Sequence, residues 1–350
     1  EDDGVTETEA KEMSEKVWQI ISDSCGYGFN SAHAFCMALD SLYNAYLKSH
    51  YPYEFYEVLM QTYSDKGKKD KVAILKQEME KAFNIQEGKY KFGADNRKFI
   101  SDQKNKVIYP SLLSIKGLSQ KCAEDLFELS QKKSFDNFYN LWKQLNKIKS
   151  LNSAKIDILV KIGYFEDFGT VGKIQRFIIC LDDLYEKSQF NKDRIDEKYL
   201  SYIIKHTVET DKLYKSFDYD KALYEIWNDL DDKDISISSK LQFELECLGY
   251  VKTKIPKLSS DYAFVQGYEC KFKNPKIALY RLNSGEIETV KVKRKQYDEA
   301  PINVGDIIKT IECTDDRIWI NEGKDENGKD IWRQDKEVTE IILKKWSFVR

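Results

Sequence analysis

The sequence predicts an α+β chain of several domains, mainly helical over its first two-thirds and closing on a small β-barrel. Apolar residues recur at helical spacing up to about Asn84 and again from Leu112 to Leu248. Beyond Pro256 they alternate along short runs separated by turn residues, the pattern of half-buried strands. At 350 residues the chain also exceeds one typical domain, so several modules with separate cores are expected.

Residues 1–88 read as an all-helical module, with Val17, Ile20, Ile21, Phe35, Leu39, Leu42 and Leu47 and then Val72, Leu75 and Met79 as its apolar stripe. A loop over Cys25–Asn30 is expected to break the first helical pattern, because its two glycines admit backbone angles other residues avoid. Gly67 marks a lysine-rich turn between two helices. Residues 89–169 start as a linker with extended runs at 89–92 and 106–109, closed by Pro110, and continue as short helices near 120–129, 135–145 and 154–162. Residues 170–256 form a helical, acidic connector, with helices at 174–185, 222–227 and 241–248. Residues 257–350 carry strands at 263–272, 276–282, 287–294, 307–313, 317–320 and 338–346. Turns at Asn283-Ser284-Gly285 and Glu326-Asn327-Gly328 join them into hairpins, and so many strands in so short a stretch fit a small closed or partly open barrel.

The formal net charge of −3 hides an uneven distribution. Residues 89–133 hold ten Lys or Arg against five Asp or Glu, residues 271–295 hold eight against two, and residues 181–234 hold nine against fifteen. Two basic segments can therefore each face a phosphate backbone, although a lysine-rich chain also places lysines on plain solvated surface. The seven cysteines are scattered and contain no Cys-x-x-Cys pair, which reads as reduced core residues. No apolar stretch reaches the roughly 20 residues a membrane helix needs. The acidic start lacks the basic and apolar parts of a signal peptide, so a cytoplasmic location is expected.

The chemistry centres on Ile115-Lys116-Gly117-Leu118, an apolar-Lys-Gly-apolar run between two short helices. This is the centre of a helix-hairpin-helix. Gly117 allows a tight turn, and the N–H groups opening the next helix point outward where the helix dipole favours an anion. Lys116, Gly117, Leu118, Ser119 and Lys121 are the candidate phosphate-binding residues, with Lys132 and Lys133 adding charge. Such contacts hold a duplex without reading its sequence; the competing reading is a plain helix-helix corner. In the barrel region Tyr268, Phe272, Tyr280, Trp319 and Trp332 are interleaved with Lys271, Lys273, Arg281, Lys291, Lys293 and Arg294. Aromatic platforms beside cations suit single-stranded nucleic acid. Lys271, Tyr280, Arg281, Lys291, Lys293 and Trp319 are the candidate contacts, against the reading that they are cross-strand pairs and core residues.

Catalytic residues are not expected in this chain, because no carboxylate cluster suited to two-metal chemistry is present. Asp218-Tyr219-Asp220 has suitable spacing but precedes a helix, where aspartate usually caps. Cys25, His33 and Cys36 lack a fourth ligand for zinc, and phosphate loops of the Walker or dinucleotide type are absent. No metal or cofactor is therefore expected in the chain itself.

The run Gly26-Tyr27-Gly28-Phe29-Asn30, then Ser31-Ala32-His33, then Tyr46-Leu47-Lys48-Ser49-His50-Tyr51-Pro52 resembles the fingers region of bacterial DNA polymerase III alpha subunits. Residues 151–166 resemble that family's second, degenerate hairpin element, which typically ends in Lys-Ala-Gly-Ala-Phe-Asp. Glu244-Leu245-Glu246-Cys247-Leu248-Gly249-Tyr250 resembles the lead-in to its OB domain. The likeness covers roughly residues 10–256 by motif and the remainder by domain order. It implies a fragment running from the end of the fingers through the hairpin module to an OB-type barrel, with DNA as partner and the palm of the same polymerase preceding it. It also implies that Tyr27, Asn30 and His33 lie near nucleotide and template, and that Mg²⁺ and dNTPs serve the whole polymerase. The family's lysine and serine before the histidine are Ser31 and Ala32 here, and Gln189-Phe190 is at most a remnant of its clamp-binding peptide. The other functional class left open is a stand-alone nucleic-acid-binding or scaffold protein built from such modules.

Overall fold

The computed structural model describes residues 6–27, 31–270, 274–324 and 330–349. Contacts divide the chain into two units, Glu1–Tyr56 and Glu57–Arg350.

The first unit contains helices α1 (Glu7–Tyr27) and α2 (Ser31–His50) and the start of α3 (Pro52–Asp65). A capping box opens α1: the Thr6 N–H and Oγ1 donate to Glu9 Oε2 at 2.9 and 2.8 Å, and the Glu9 N–H donates back to Thr6 Oγ1 at 3.4 Å. The loop expected from Cys25 starts no earlier than residue 28, because α1 runs through Cys25, Gly26 and Tyr27, and the rest of that expected loop lies outside the described residues. The stripe expected to form a core is largely exposed: Val17, Ile20, Ile21, Phe35, Leu42 and Leu47 face solvent.

In the second unit α3 ends at Asp65 and α4 (Lys69–Phe83) follows across Gly67, whose φ of +69° suits the turn. Short strands β1 (Gln86–Glu87), β2 (Ile100–Asp102) and β3 (Val107–Tyr109) make a three-stranded sheet in the order β1-β3-β2. The expected strand at 89–92 is absent: this segment turns, and the Phe92 N–H donates to the Tyr164 carbonyl at 2.8 Å. Helices α5 (Gln120–Lys132), α6 (Phe138–Leu145), α7 (Ser153–Lys161) and α8 (Val171–Leu184) come next, opened by Ser119, Asn137, Asn152 and Thr170, whose side chains each accept a first-turn N–H.

The acidic connector is not purely helical. It contains β4 (Gln189–Asn191), α9 (Glu197–Lys205), β5 (Val208–Glu209) and β6 (Leu213–Lys215), the strands pairing in the order β4-β6-β5. Strands of two or three residues are too short to show alternation in sequence. Helices α10 (Tyr219–Asp229) and α11 (Ile237–Leu248) complete the connector. One hydrophobic core runs through the helical part from Tyr90 to Tyr250, with Phe138, Phe165, Phe177 and Trp227 at its centre.

The final region holds β7 (Tyr262–Glu269), β8 (Lys276–Arg281), β9 (Ile287–Val292), α12 (Arg294–Glu299), β10 (Ile307–Lys324) and β11 (Asp330–Phe348). The β7–β8, β8–β9, β10–β11 and β10–β7 pairings are antiparallel and β9–β11 is parallel, so the five strands form a closed ring. Ala263, Val265, Ile277, Leu279, Val290, Val292, Ile308 and Leu343 fill it. The runs expected as separate strands at 307–313 and 317–320 are one strand, because bulges within β10 let it bend and continue rather than turn. The strand expected at 287–294 stops at Val292, where α12 begins, and the Glu326-Asn327-Gly328 turn lies outside the described residues.

Candidate nucleic-acid interface

The hairpin starts from a 3₁₀ turn, Leu112–Ser114, capped by Ser111. Ile115 is buried, Lys116 is exposed, and the Leu118 N–H donates to the Ile115 carbonyl at 3.2 Å to close the turn. The Lys69 ammonium donates to the same carbonyl. Gly117 has φ +92°, and a Cβ there would lie 2.9 Å from Ile158 Cδ1 on α7, so both conformation and close approach require glycine. Ser119 then caps α5, accepting the Cys122 N–H. Among the described residues, the N–H groups of Gly117, Ser119, Gln120 and Lys121 donate to no protein acceptor. Four backbone N–H groups without a protein acceptor and the exposed Lys116 therefore lie within one turn at the positive end of a thirteen-residue helix.

Two of the expected phosphate residues act differently. The Leu118 side chain is a core residue, and its N–H is already used. Lys121 is paired with Asp125 at 2.9 Å, and Asp125 also accepts the Ser150 hydroxyl at 2.6 Å. Under the turn, Lys155 donates to the Ser150 carbonyl at 2.6 Å and approaches Cys122 Sγ at 3.3 Å. Burial pushes the Cys122 thiol up, but hydrogen bonds from Ser119 and Lys155 outweigh it and hold the thiol below its ordinary value.

The second hairpin element is α7, capped by Asn152, followed by Gly163 at φ +75° and the buried Tyr164 and Phe165. The Glu244–Tyr250 run has a structural role throughout. Glu244 accepts the Lys252 N–H at 2.9 Å, the Thr253 N–H at 3.0 Å and the Thr253 hydroxyl at 2.5 Å. Gly249 ends α11 at φ +82°, and the Tyr250 hydroxyl donates to Glu87.

That last bond belongs to a buried cluster that sequence reasoning missed. The Lys76 ammonium, its side chain 4% exposed, lies 2.8 Å from Glu87 Oε1 and donates to Tyr90 Oη at 2.8 Å. The rings of Tyr90, Phe99 and Tyr250 stand 5.3, 5.7 and 5.6 Å from it. Tyr90 Oη reaches Ser114 Oγ at 3.1 Å, which ties the cluster to the turn just before the hairpin. Burial disfavours both charges, yet their mutual attraction keeps Lys76 above its ordinary pKa and Glu87 below its own. The available signal was position: Lys76 sits on the helix face of Val72 and Met79.

In the barrel region most candidates are consumed by the fold. Tyr280 is 2% exposed, packs with Leu241, Val251, Phe264 and Leu282, and donates to the Thr253 carbonyl at 3.2 Å. It cannot stack on a base. Arg281 is paired with Glu288 and donates to Thr310 Oγ1 at 2.9 Å, and Lys291 is held by Glu340 at 2.6 Å. Lys293 is exposed where α12 begins, and Lys271 lies outside the described residues. Trp319 and Trp332, 56% and 53% exposed, lie on one face of the β10–β11 ribbon, since Trp319 opposes Gln334 and Asn321 opposes Trp332. Residues 314–337 carry eight Asp or Glu against five Lys or Arg, a poor setting for phosphates.

Of the nucleotide-proximal candidates, His33 is exposed in the first turn of α2, Tyr27 ends α1, and Asn30 lies outside the described residues. Asp218 caps α10 by accepting the Lys221 N–H at 3.2 Å, and Asp220 accepts the Tyr139 hydroxyl at 2.7 Å, so this pair is structural. Phe190 packs edge-on against Phe217 at 5.0 Å. Among the described residues no three His, Cys, Asp or Glu side chains converge to hold a metal ion, and no helix is long and apolar enough to cross a membrane.

Residues 81–173 match the helix-hairpin-helix motif family. The chain is similar to DNA polymerase III alpha subunits: 32% identical to that of Campylobacter jejuni over 46% of this chain and 13% of that one. The Ureaplasma parvum subunit is 27% identical over 50% of this chain and 18% of its own length, and the Aquifex aeolicus subunit 27% over 45% and 13%. The matched region thus spans less than a fifth of each of these relatives.

Proposed function

We propose, from the likeness of about half this chain to DNA polymerase III alpha subunits, that it is the DNA-gripping C-terminal part of such a polymerase. The observation that carries the reading is the hairpin at 115–121, where N–H groups without a protein acceptor stand beside an exposed Lys116 within the region matching the helix-hairpin-helix family. The turn takes a duplex phosphate, the backbone donors fixing its oxygens and Lys116 neutralising it.

The last region is an OB-type barrel in this reading. Supporting it are five strands closing in the order first-second-third-fifth-fourth, a parallel third–fifth pair, and a helix between the third and fourth. DNA-directed DNA synthesis, with its Mg²⁺ and dNTPs, belongs to the whole polymerase and to a palm outside this chain. Tyr27, Asn30 and His33 border the nucleotide, and Lys293 and Trp319 are the barrel-region candidates still open to solvent for single-strand contact. The test is duplex affinity across a salt series. Each neutralised phosphate contributes a log-log slope of about 0.9, so a slope of several units supports the reading. Absence of binding at low salt overturns it.

A further inference from the structure

Two lysines of α4 reach the segment that leads into the hairpin turn, and both do so from one face of the helix. Lys69 and Lys76 are seven residues apart, about two helical turns, and share that face with the buried Val72 and Met79. The Lys69 ammonium donates to the Ile115 carbonyl, the same oxygen that accepts the Leu118 N–H and closes the turn. Lys76 reaches the preceding residue through two hydroxyls. Ser114 Oγ donates to the Ser111 carbonyl at 2.7 Å, so its single hydrogen is already used and Tyr90 donates to it across 3.1 Å. The Tyr90 oxygen is then the acceptor for the Lys76 ammonium at 2.8 Å. Every bond of this relay runs from the ammonium toward the turn, and Glu87 fixes the ammonium from another side at 2.8 Å.

Asn96 holds the chain one step earlier, its Nδ2 donating to the Pro110 carbonyl and its own carbonyl accepting the Leu112 N–H, both at 2.8 Å. Ser114 and Ile115 are the last residues before the exposed Lys116, so the bonds from α4 fix the chain where the N–H groups without a protein acceptor begin. Hydrogen bonds from an ammonium are roughly twice as strong as those between neutral groups, which suits them to hold a short turn. Lys76 is too deeply buried to meet a phosphate, and Lys69 is half-buried with its ammonium on the Ile115 carbonyl.

We propose that Lys69 and Lys76 are positioning residues of the phosphate-binding turn, with α4 acting as a splint that sets Ser114 and Ile115, and through them the N–H groups of 117–121, before a duplex arrives. The role rests on the duplex-gripping reading above. A turn already ordered in the free protein binds more tightly than one that must be ordered on contact. Neither lysine touches a phosphate in this role, so losing its bond lowers affinity without changing the number of phosphates neutralised.

The test uses the full chain, a labelled blunt duplex and the backbone amide spectrum of the free protein. Lys69→Met removes the bond to the carbonyl. Tyr90→Phe cuts the relay but keeps the ring and the Lys76–Glu87 pair, so no buried charge is left without its partner. Each should weaken duplex binding about fivefold with the salt slope unchanged within about 0.3, whereas Lys116→Gln should lower the slope by about 0.9. In the free protein both should shift the amides of Gly117, Ser119, Gln120 and Lys121, and Lys69→Arg should restore affinity. Melting temperatures keep a folding loss apart from an affinity loss. Affinity within about twofold of wild type in both folded variants, while Lys116→Gln weakens binding, overturns the splint alone. Weaker binding with the four amides unmoved overturns it as well, and so does a slope lower by about 0.9 in Lys69→Met, which would make that lysine a phosphate contact. No duplex binding by the wild type at low salt overturns the hairpin reading and the splint with it.

Discussion

The hairpin and the barrel were both marked in the sequence by cations near structured turns, yet one keeps its candidate residues other than Leu118 at the surface and the other absorbs most of them. In the hairpin, Lys116 and Gly117 are where a local motif puts them, because the roles depend on a left-handed glycine and a capped helix within five residues. In the barrel, Tyr280 and Arg281 were chosen for residue type alone. Strand β8 buries both faces: Ile277 and Leu279 point into the ring, while Tyr280 and Leu282 pack against Leu241 of α11 and Val251. Alternation tells inside from outside only where one face of a sheet meets water. Backbone-defined motifs therefore survive folding better than composition-defined patches.

The sharpest way to break this contrast is Tyr280→Ala against Trp319→Ala. The first should destabilise by about 3–5 kcal/mol, as for other large core aromatics. The second, on an exposed ribbon, should stay within about 0.5 kcal/mol. Chemical denaturation of both variants measures the difference, and equal effects would mean that the two aromatics share one environment.

Next in size is the buried pair behind the hairpin. Lys76→Met alone should cost about 3–5 kcal/mol by leaving Glu87 charged and unpaired, and Lys76→Met with Glu87→Leu should recover much of it. A double variant no more stable than the single would remove the pair from the account. The same pair gives a pH signature. Glu87 is held below its ordinary 4.5, so its contribution is present above that value and lost as pH falls through the depressed one. Stability of the wild type should drop more steeply below about pH 4.5 than that of Glu87→Gln, measured by denaturation at several pH values.

A smaller effect is expected at the turn. Gly117→Ala should cost about 1–2 kcal/mol from the left-handed conformation, with the Ile158 contact adding strain. Duplex affinity should fall as well, because the open N–H groups shift with the turn. Unchanged stability and affinity together would show that the glycine is not needed there.

Much of the helical order was legible, since α4 to α8 and α10 to α11 have periodic apolar faces, and all of these but α4 have side-chain caps that sequence displays. The β4–β6 sheet was not, because its strands are two or three residues long and lie among charged residues. The exposed apolar residues of α1 and α2 show the converse limit: periodicity reports a helix face but not what covers it. Lys76 escaped because a lysine on an apolar stripe reads as an interruption until its partner, eleven residues on, is placed beside it.

The most direct measurement of the central claim is a titration of the isotope-labelled chain with duplex DNA, followed at the backbone amides of Gly117, Ser119, Gln120 and Lys121. Large, saturable shifts are expected at these four, with loss of them in Lys116→Glu at moderate salt. Shifts confined to the barrel, with the four amides unmoved at saturation, would contradict it.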